Sequence, residues 1–256
     1  MACRSSLWRA ATLCAALSWS VAAPAADALV ATIARVKPSV VGIGTFAELR
    51  RPQVRYLGTG FAVGDGGRIA TNLHVVDAPL DEASRERLVV LIGHGTDIDV
   101  RSVSVVARDP AHDLALLALP GAPLPTLTID TGAAPPEGTA IAFTGYPIGP
   151  VLGLHAATHQ GIVAALTPLA MPADNSRELS TDKLLALRSP YEVLQLDAIA
   201  YPGNSGSPVY RQDSGAVVGI INMVFVKGRK EDILRDPSAI TYAIPARYLA
   251  ALLAGR

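Results

Sequence analysis

Along most of this chain, short apolar or alternating runs are separated by turn residues, and a helical period appears only near the two ends. Residues 27–36 place Leu29, Val30, Ile33 and Val36 on one face, with Asp27 positioned as a cap, so a short helix is predicted there. Pro38 ends that pattern. Six runs of strand character follow, at 40–46, 57–63, 68–76, 88–92, 100–107 and 114–119. Residues 120–138 are rich in Pro and Gly and sustain no period, which reads as a linker. A second set of six runs lies at 139–144, 161–166, 192–199, 207–210, 216–224 and 240–244. Residues 245–254 predict a terminal helix, with Pro245 at its first position and Leu249, Leu252 and Leu253 on one stripe. Two insertions interrupt the scheme. Residues 79–87 are charged and predict a short surface helix. Residues 167–191 form a long polar loop with one helical turn around 183–187. The sum is an all-β fold of two six-stranded antiparallel β-barrels side by side, barrel one at about 39–120 and barrel two at about 138–244. Regular βα alternation is missing, which argues against a parallel α/β sheet.

Composition supports a sizeable core, since half of the 256 residues are hydrophobic and 17% are charged. The formal net charge is zero, so no basic excess points to nucleic acid and no charge run points to a membrane surface. The first 25 residues differ from the rest. Arg4 and Arg9 are followed by twelve largely apolar residues from Ala10 to Val21. That run is shorter than the ~20 residues a membrane-spanning helix needs. Ala23, Pro24 and Ala25 then offer small residues for cleavage, so residues 1–25 read as a signal peptide and the mature chain is expected to start near Ala26. Both cysteines, Cys3 and Cys14, lie in this segment, so no disulfide is expected in the mature protein. Export without disulfides suits a periplasmic or secreted bacterial protein.

The most distinctive stretch is Tyr201-Pro-Gly-Asn-Ser-Gly-Ser-Pro-Val-Tyr210, which sets Ser205 between two glycines and two prolines. Gly, Pro, Asn and Ser are turn residues, so an ordinary surface turn is one reading. A tight, stiff loop that holds one hydroxyl out and turns backbone N–H groups to one point is the other, and it is what a serine nucleophile requires. The second reading needs a base and an acid. Of five histidines, His94 sits in a hairpin turn, and His155 and His159 form a weak metal pair with no third ligand at zinc spacing. His112 reads as solvent-facing, and His74 falls in Thr71-Asn-Leu-His-Val-Val at the end of a strand, where a barrel rim would face a cleft. Asp113 opens Asp-Leu-Ala-Leu-Leu and enters an apolar strand, where a carboxylate needs a partner. The order His74, Asp113, Ser205 is that of the His–Asp–Ser triad proteases. An α/β-hydrolase would place serine first within Gly-x-Ser-x-Gly, and here that fifth position is Ser207.

These motifs together resemble the HtrA-type (Deg) branch of the trypsin-like serine proteases. The matching stretches are Gly58-Thr-Gly-Phe, Thr71-Asn-Leu-His-Val-Val, Asp113-Leu-Ala-Leu-Leu, Gly145-Tyr-Pro-Ile-Gly, Gly161-Ile-Val-Ala-Ala-Leu, Leu196-Asp-Ala-Ile-Ala-Tyr-Pro-Gly-Asn-Ser-Gly, Val218-Gly-Ile and Thr241-Tyr-Ala-Ile-Pro, in order over most of the chain. The resemblance implies the chymotrypsin-type double barrel with a cleft between barrels. It implies Ser205 as nucleophile, His74 as general base and then acid, Asp113 as the group orienting the imidazole, and the N–H groups of Gly203 and Ser205 as the oxyanion hole. It implies a polypeptide substrate and no cofactor or metal. The Gly-Asn-Ser-Gly-Ser-Pro form also resembles bacterial glutamyl endopeptidases, which carry a histidine where this chain has Ile221. Ile199 falls at the pocket floor of trypsin-like enzymes. Both are apolar, so cleavage after small or medium apolar residues is expected. Asn204 replaces the aspartate that pairs with a freed N-terminus in digestive relatives, so activation by N-terminal clipping is not indicated. The 167–191 loop is expected to order the oxyanion loop when substrate binds. No PDZ module is expected after the terminal helix. The family admits a homo-oligomer, a trimer, on which the sequence itself is silent. Two other classes stay open: a non-catalytic protease-like binding or scaffold protein of the cell envelope, and an esterase using the same triad.

Overall fold

The computed structural model describes residues 25–95, 97–147, 154–168, 191–225 and 240–255. The segment read as a signal peptide and nearly all of the 167–191 insertion lie outside these residues. Helix α1 (Ala25–Val36) opens the described chain and runs into a 3₁₀ turn at Lys37–Ser39, where Pro38 interrupts it.

The first half forms one antiparallel sheet of seven strands: β1 (Val40–Phe46), β2 (Val54–Val63), β3 (Arg68–Asn72), β4 (Arg87–His94), β5 (Asp97–Ser102), β6 (Ser104–Asp109) and β7 (Leu114–Ala118). Their spatial order is β5-β4-β1-β2-β3-β7-β6. This corrects the expected six-stranded closed barrel. The run at 100–107 is two strands, divided at Val103, whose N–H donates to the Leu88 carbonyl at 3.1 Å. β5 pairs with β4 at one edge, while β6 pairs with β7 at the other. The edges are thus joined through the chain at Val103, and no ladder closes the ring among the described residues. The 79–87 insertion is a turn and not a helix, with Asp81 Oδ1 accepting the N–H groups of Ala83 and Ser84.

The second half is the closed barrel that was expected. β8 (Ala140–Gly145), β9 (Ala157–Pro168), β10 (Glu192–Asp197), β11 (Pro208–Arg211), β12 (Val217–Phe225) and β13 (Ile240–Pro245) close in the order β10-β13-β12-β11-β8-β9. The terminal helix follows at Ala246–Leu253 and buries Leu249.

Burial explains why so many strands read as continuous apolar runs. In β7, Leu114 and Leu116 face one cluster, and Ala115 and Leu117 face another. β3 and β4 split the same way, with Ala70, Val89 and Leu91 on one side and Ile69, Leu88 and Val90 on the other. The first sheet therefore buries both faces, one within itself and one against barrel two. The second contact includes Tyr210, Val217, Ile220, Ile244 and Leu249. A third cluster, including Phe143, Val209 and Ile221, fills barrel two. The segment read as a linker runs between the halves. Leu127 N–H donates to Ala62 O in the first, and Asp130 N–H donates to Val217 O in the second.

Candidate active site

His74 lies in α2 (Leu73–Val76), a single helical turn directly after β3, rather than on a strand running to 76 as expected. The chain turns there because Asn72, still extended at ψ 150°, is drawn to the facing strand. Its side-chain amide donates to the Asp113 carbonyl at 3.2 Å, and the Leu73 N–H donates to the same oxygen at 3.0 Å. Asp113 precedes β7 with φ 52°, in the left-handed region that Asp tolerates better than most residues. That conformation turns its carbonyl to Asn72 and its carboxylate to His74. Asp113 Oδ1 accepts the His74 backbone N–H at 2.8 Å, and Oδ2 meets His74 Nδ1 at 2.5 Å. The carboxylate has only lone pairs to offer, so in the neutral imidazole the proton sits on Nδ1 and the lone pair is on Nε2. His74 is about half exposed.

The remaining lone pair of Asp113 Oδ2 takes the Asn222 side-chain amide at 2.9 Å. Asn222 was not singled out in the sequence. The signal was available: it is a polar side chain within the buried run of β12, and buried polar groups need partners. Its backbone carbonyl accepts the Ser205 hydroxyl at 3.2 Å. Asn222 therefore touches the acid with its side chain and the serine with its backbone. Among the described residues, Ser205 Oγ makes this bond and none to His74.

The loop that carries Ser205 is tied down on several sides. Gly203 has φ 99° and Gly206 has φ 87°, both closed to most side chains. A Cβ on Gly206 would come within 2.0 Å of the Thr59 carbonyl. Asn204 N–H donates to Tyr201 O at 3.0 Å, Ser207 N–H to Asn204 O at 2.9 Å, and Gly206 N–H to Ile221 O at 2.8 Å. Thr59 N–H donates to Ser205 O at 2.9 Å. The N–H groups of Gly203 and Ser205 have no acceptor among the described residues. Two backbone donors beside one hydroxyl are what an oxyanion needs.

Ile199 and Ile221 do not share a surface. Ile199 is 44% exposed ahead of the loop, whereas Ile221 is 1% exposed inside barrel two beside Ala200. Two of the other histidines, His112 and His159, are packed against aromatic rings. His112 is not solvent-facing: its Nδ1 meets Asp109 Oδ2 at 2.6 Å, and its ring stacks on Tyr248 at 3.9 Å. His159 stacks on Phe143 at 4.8 Å, and burial pushes its pKa down. No group of three metal-binding side chains occurs among the described residues.

The fold and these motifs define a trypsin-like peptidase domain, and the family model of that description matches residues 58–220. The chain belongs to this family. It is 30% identical over 173 residues to a probable periplasmic serine endoprotease, DegP-like, of Halomonas elongata, covering 68% of this chain and 30% of that one. A relative of the same description from Pseudomonas putida is 29% identical over 178 residues, covering 70% and 31%. This chain thus spans about a third of the length of the curated relatives it matches. Among solved structures, Deg5 superposes with a TM-score of 0.61 at 23% identity, covering 90% of this chain and 93% of that one. An HtrA-type protease, AlgW, superposes with a TM-score of 0.64 at 21% identity, covering 89% of this chain and 62% of that one, and these likenesses show a chymotrypsin-like fold shared with that protease.

Proposed function

We propose that this protein is an exported serine endopeptidase acting on polypeptides through an acyl-enzyme. Ser205 Oγ attacks the scissile carbonyl carbon while its proton passes to His74 Nε2. The carbonyl oxygen, now an oxyanion, takes the N–H groups of Gly203 and Ser205. Collapse expels the amine, which receives the proton from His74, and water then repeats the sequence on the ester. Asp113 holds the imidazole in the tautomer this requires. The observation that carries the reading is the carboxylate of Asp113, which takes the His74 ring, the His74 backbone and the Asn222 amide, while Asn222 reaches on to Ser205. Cleavage after small or medium apolar residues rests on Ile199, exposed six residues before the serine, with Ile221 backing the site from the core. Export rests on residues 1–25 and on the periplasmic description of the relatives.

The bond from Ser205 to Asn222, rather than to His74, favours a second reading, a protease-like binding protein that does not turn over. Digestion of a denatured protein by the chain and by its Ser205→Ala variant, with cut sites read by mass spectrometry, separates the two. Cleavage by the native chain alone, after apolar residues, supports the endopeptidase. No cleavage by either supports the binding protein.

A further inference from the structure

The peptide planes of the Ser205 loop are fixed one by one, with a single exception. The Asn204–Ser205 plane is held by Ser207 N–H on the Asn204 carbonyl, which aims the Ser205 N–H the opposite way. The plane after Ser205 is held by Thr59 N–H on the Ser205 carbonyl. The Gly203–Asn204 plane is held by Asn204 N–H on Tyr201 O and by two hydroxyls on the Gly203 carbonyl. The Pro202–Gly203 plane, which carries the Gly203 N–H, has no hydrogen bond of its own among the described residues. Its direction is therefore set through Gly203, whose φ of 99° leaves it free to turn unless the next plane is anchored.

Besides the Asn204 N–H bond within the loop, that plane is anchored from the other half of the molecule. Thr59 Oγ1 donates to Gly203 O at 2.8 Å, and Tyr56 OH lies 2.9 Å from the same oxygen. The two hydroxyls are 3.1 Å apart. Both also engage Tyr146 of barrel two: Tyr146 N–H donates to Thr59 Oγ1 at 3.1 Å, and Tyr146 O lies 3.0 Å from Tyr56 OH. The Thr59 proton goes to the Gly203 carbonyl and the Tyr56 proton is shared between the Gly203 and Tyr146 carbonyls, both on the barrel-two side. Thr59 is fully buried. Burial holds the Tyr56 phenol well above the ordinary tyrosine range, so it stays a donor wherever the protein is folded.

We propose that Tyr56 and Thr59 are positioning residues which, by clamping the Gly203 carbonyl from β2, aim the Gly203 N–H at the oxyanion and make this donor depend on docking of the first sheet against barrel two. The inference rests on the reading of Gly203 and Ser205 as the oxyanion hole. Both hydroxyls are taken up by protein atoms, so on this inference their loss weakens transition-state binding and leaves ground-state binding alone.

The test compares Tyr56→Phe, Thr59→Val and Thr59→Ser with the native chain. Reaction of Ser205 with a fluorophosphonate, absent in Ser205→Ala, first establishes the nucleophile. Turnover of a peptide thioester is then measured. So is binding of a peptide aldehyde, which Ser205 converts to a hemiacetal oxyanion, and of the matched alcohol, which cannot react. Tyr56→Phe and Thr59→Val should each lower kcat and aldehyde affinity about tenfold, with KM and alcohol affinity within about twofold, the loss expected for one hydrogen bond. Thr59→Ser, which keeps the hydroxyl, should restore both. Unchanged kcat in the two deletion variants, equal losses for aldehyde and alcohol, or losses that simply follow a lowered melting temperature would each overturn the inference. A native chain that takes no label would instead remove the reading on which it rests.

Discussion

A carboxylate that accepts three donors from two other segments of the chain has almost no freedom, and Asp113 is in that position. Replacing it with Asn turns an amide N–H toward His74 Nδ1. The ring must then accept there and carry its proton on Nε2, the wrong atom for a base. Asp113→Asn should lower kcat by about 10⁴-fold with little change in KM, read by steady-state kinetics. Asn222→Ala removes one of the three donors and leaves the tautomer intact, so a loss of only about tenfold in kcat is expected. His74, Asp113 and Ser205 were legible because each sits in a local motif whose residue types carry a mechanism. Asn222, Tyr56 and Thr59 were not legible as a group. Their roles arise from partners 109, 147 and 144 residues away in the chain.

Among the elements, β8 ends against the Ser205 loop with no room to spare. A Cβ on Gly145 would fall 2.0 Å from Ser207 Oγ, 2.8 Å from Asn204 Oδ1 and 3.0 Å from Thr59 Oγ1. Gly145→Ala should cost about 1–3 kcal/mol by denaturant unfolding, and Ser207→Gly in the same chain should recover much of it, because the nearest clash is with that hydroxyl. The β1–β2 hairpin is secured by Glu86. The Thr45 hydroxyl, then the Asp81 N–H and the Arg50 and Arg55 guanidiniums, hold its carboxyl down to about 2. A carboxyl more acidic in the folded state than its unfolded value of ~4.3 adds stability above that value, and the contribution is lost as pH falls through the folded one. The melting temperature should therefore decline between about pH 4.5 and pH 2. Glu86→Gln should start lower at neutral pH and decline less across that window. Most strands were legible from their apolar runs. The break at Val103 was not, because 100–107 contains no Gly or Pro to mark a turn and only pairing to opposite sheet edges divides it. The strand end at Asn72 was hidden similarly, since Leu73, Val75 and Val76 suit a strand as well as a helical turn.

At the scale of the molecule, one apolar cluster joins the first sheet, barrel two and the terminal helix. The halves share that core and should unfold together. Leu249, fully buried in it from the terminal helix, tests this. Leu249→Ala should cost about 2–5 kcal/mol and lower the melting temperature by roughly 5–15 °C in a single transition. Two separate transitions, only one of them shifted, would show independent halves. The sequence by itself determined the kind of strands, their division into two sets, the order of the three candidate catalytic residues and the stiffness of the serine loop. Each of these depends on residues close together in the chain, where turn chemistry and apolar period act directly. The tertiary structure alone decided that the first sheet's ladder is open, that Ile221 is buried while Ile199 is exposed, and that Asn222, Tyr56 and Thr59 converge on the site. Those outcomes depend on which distant strand edges pair and which polar atoms meet once water is excluded, and no local pattern encodes them.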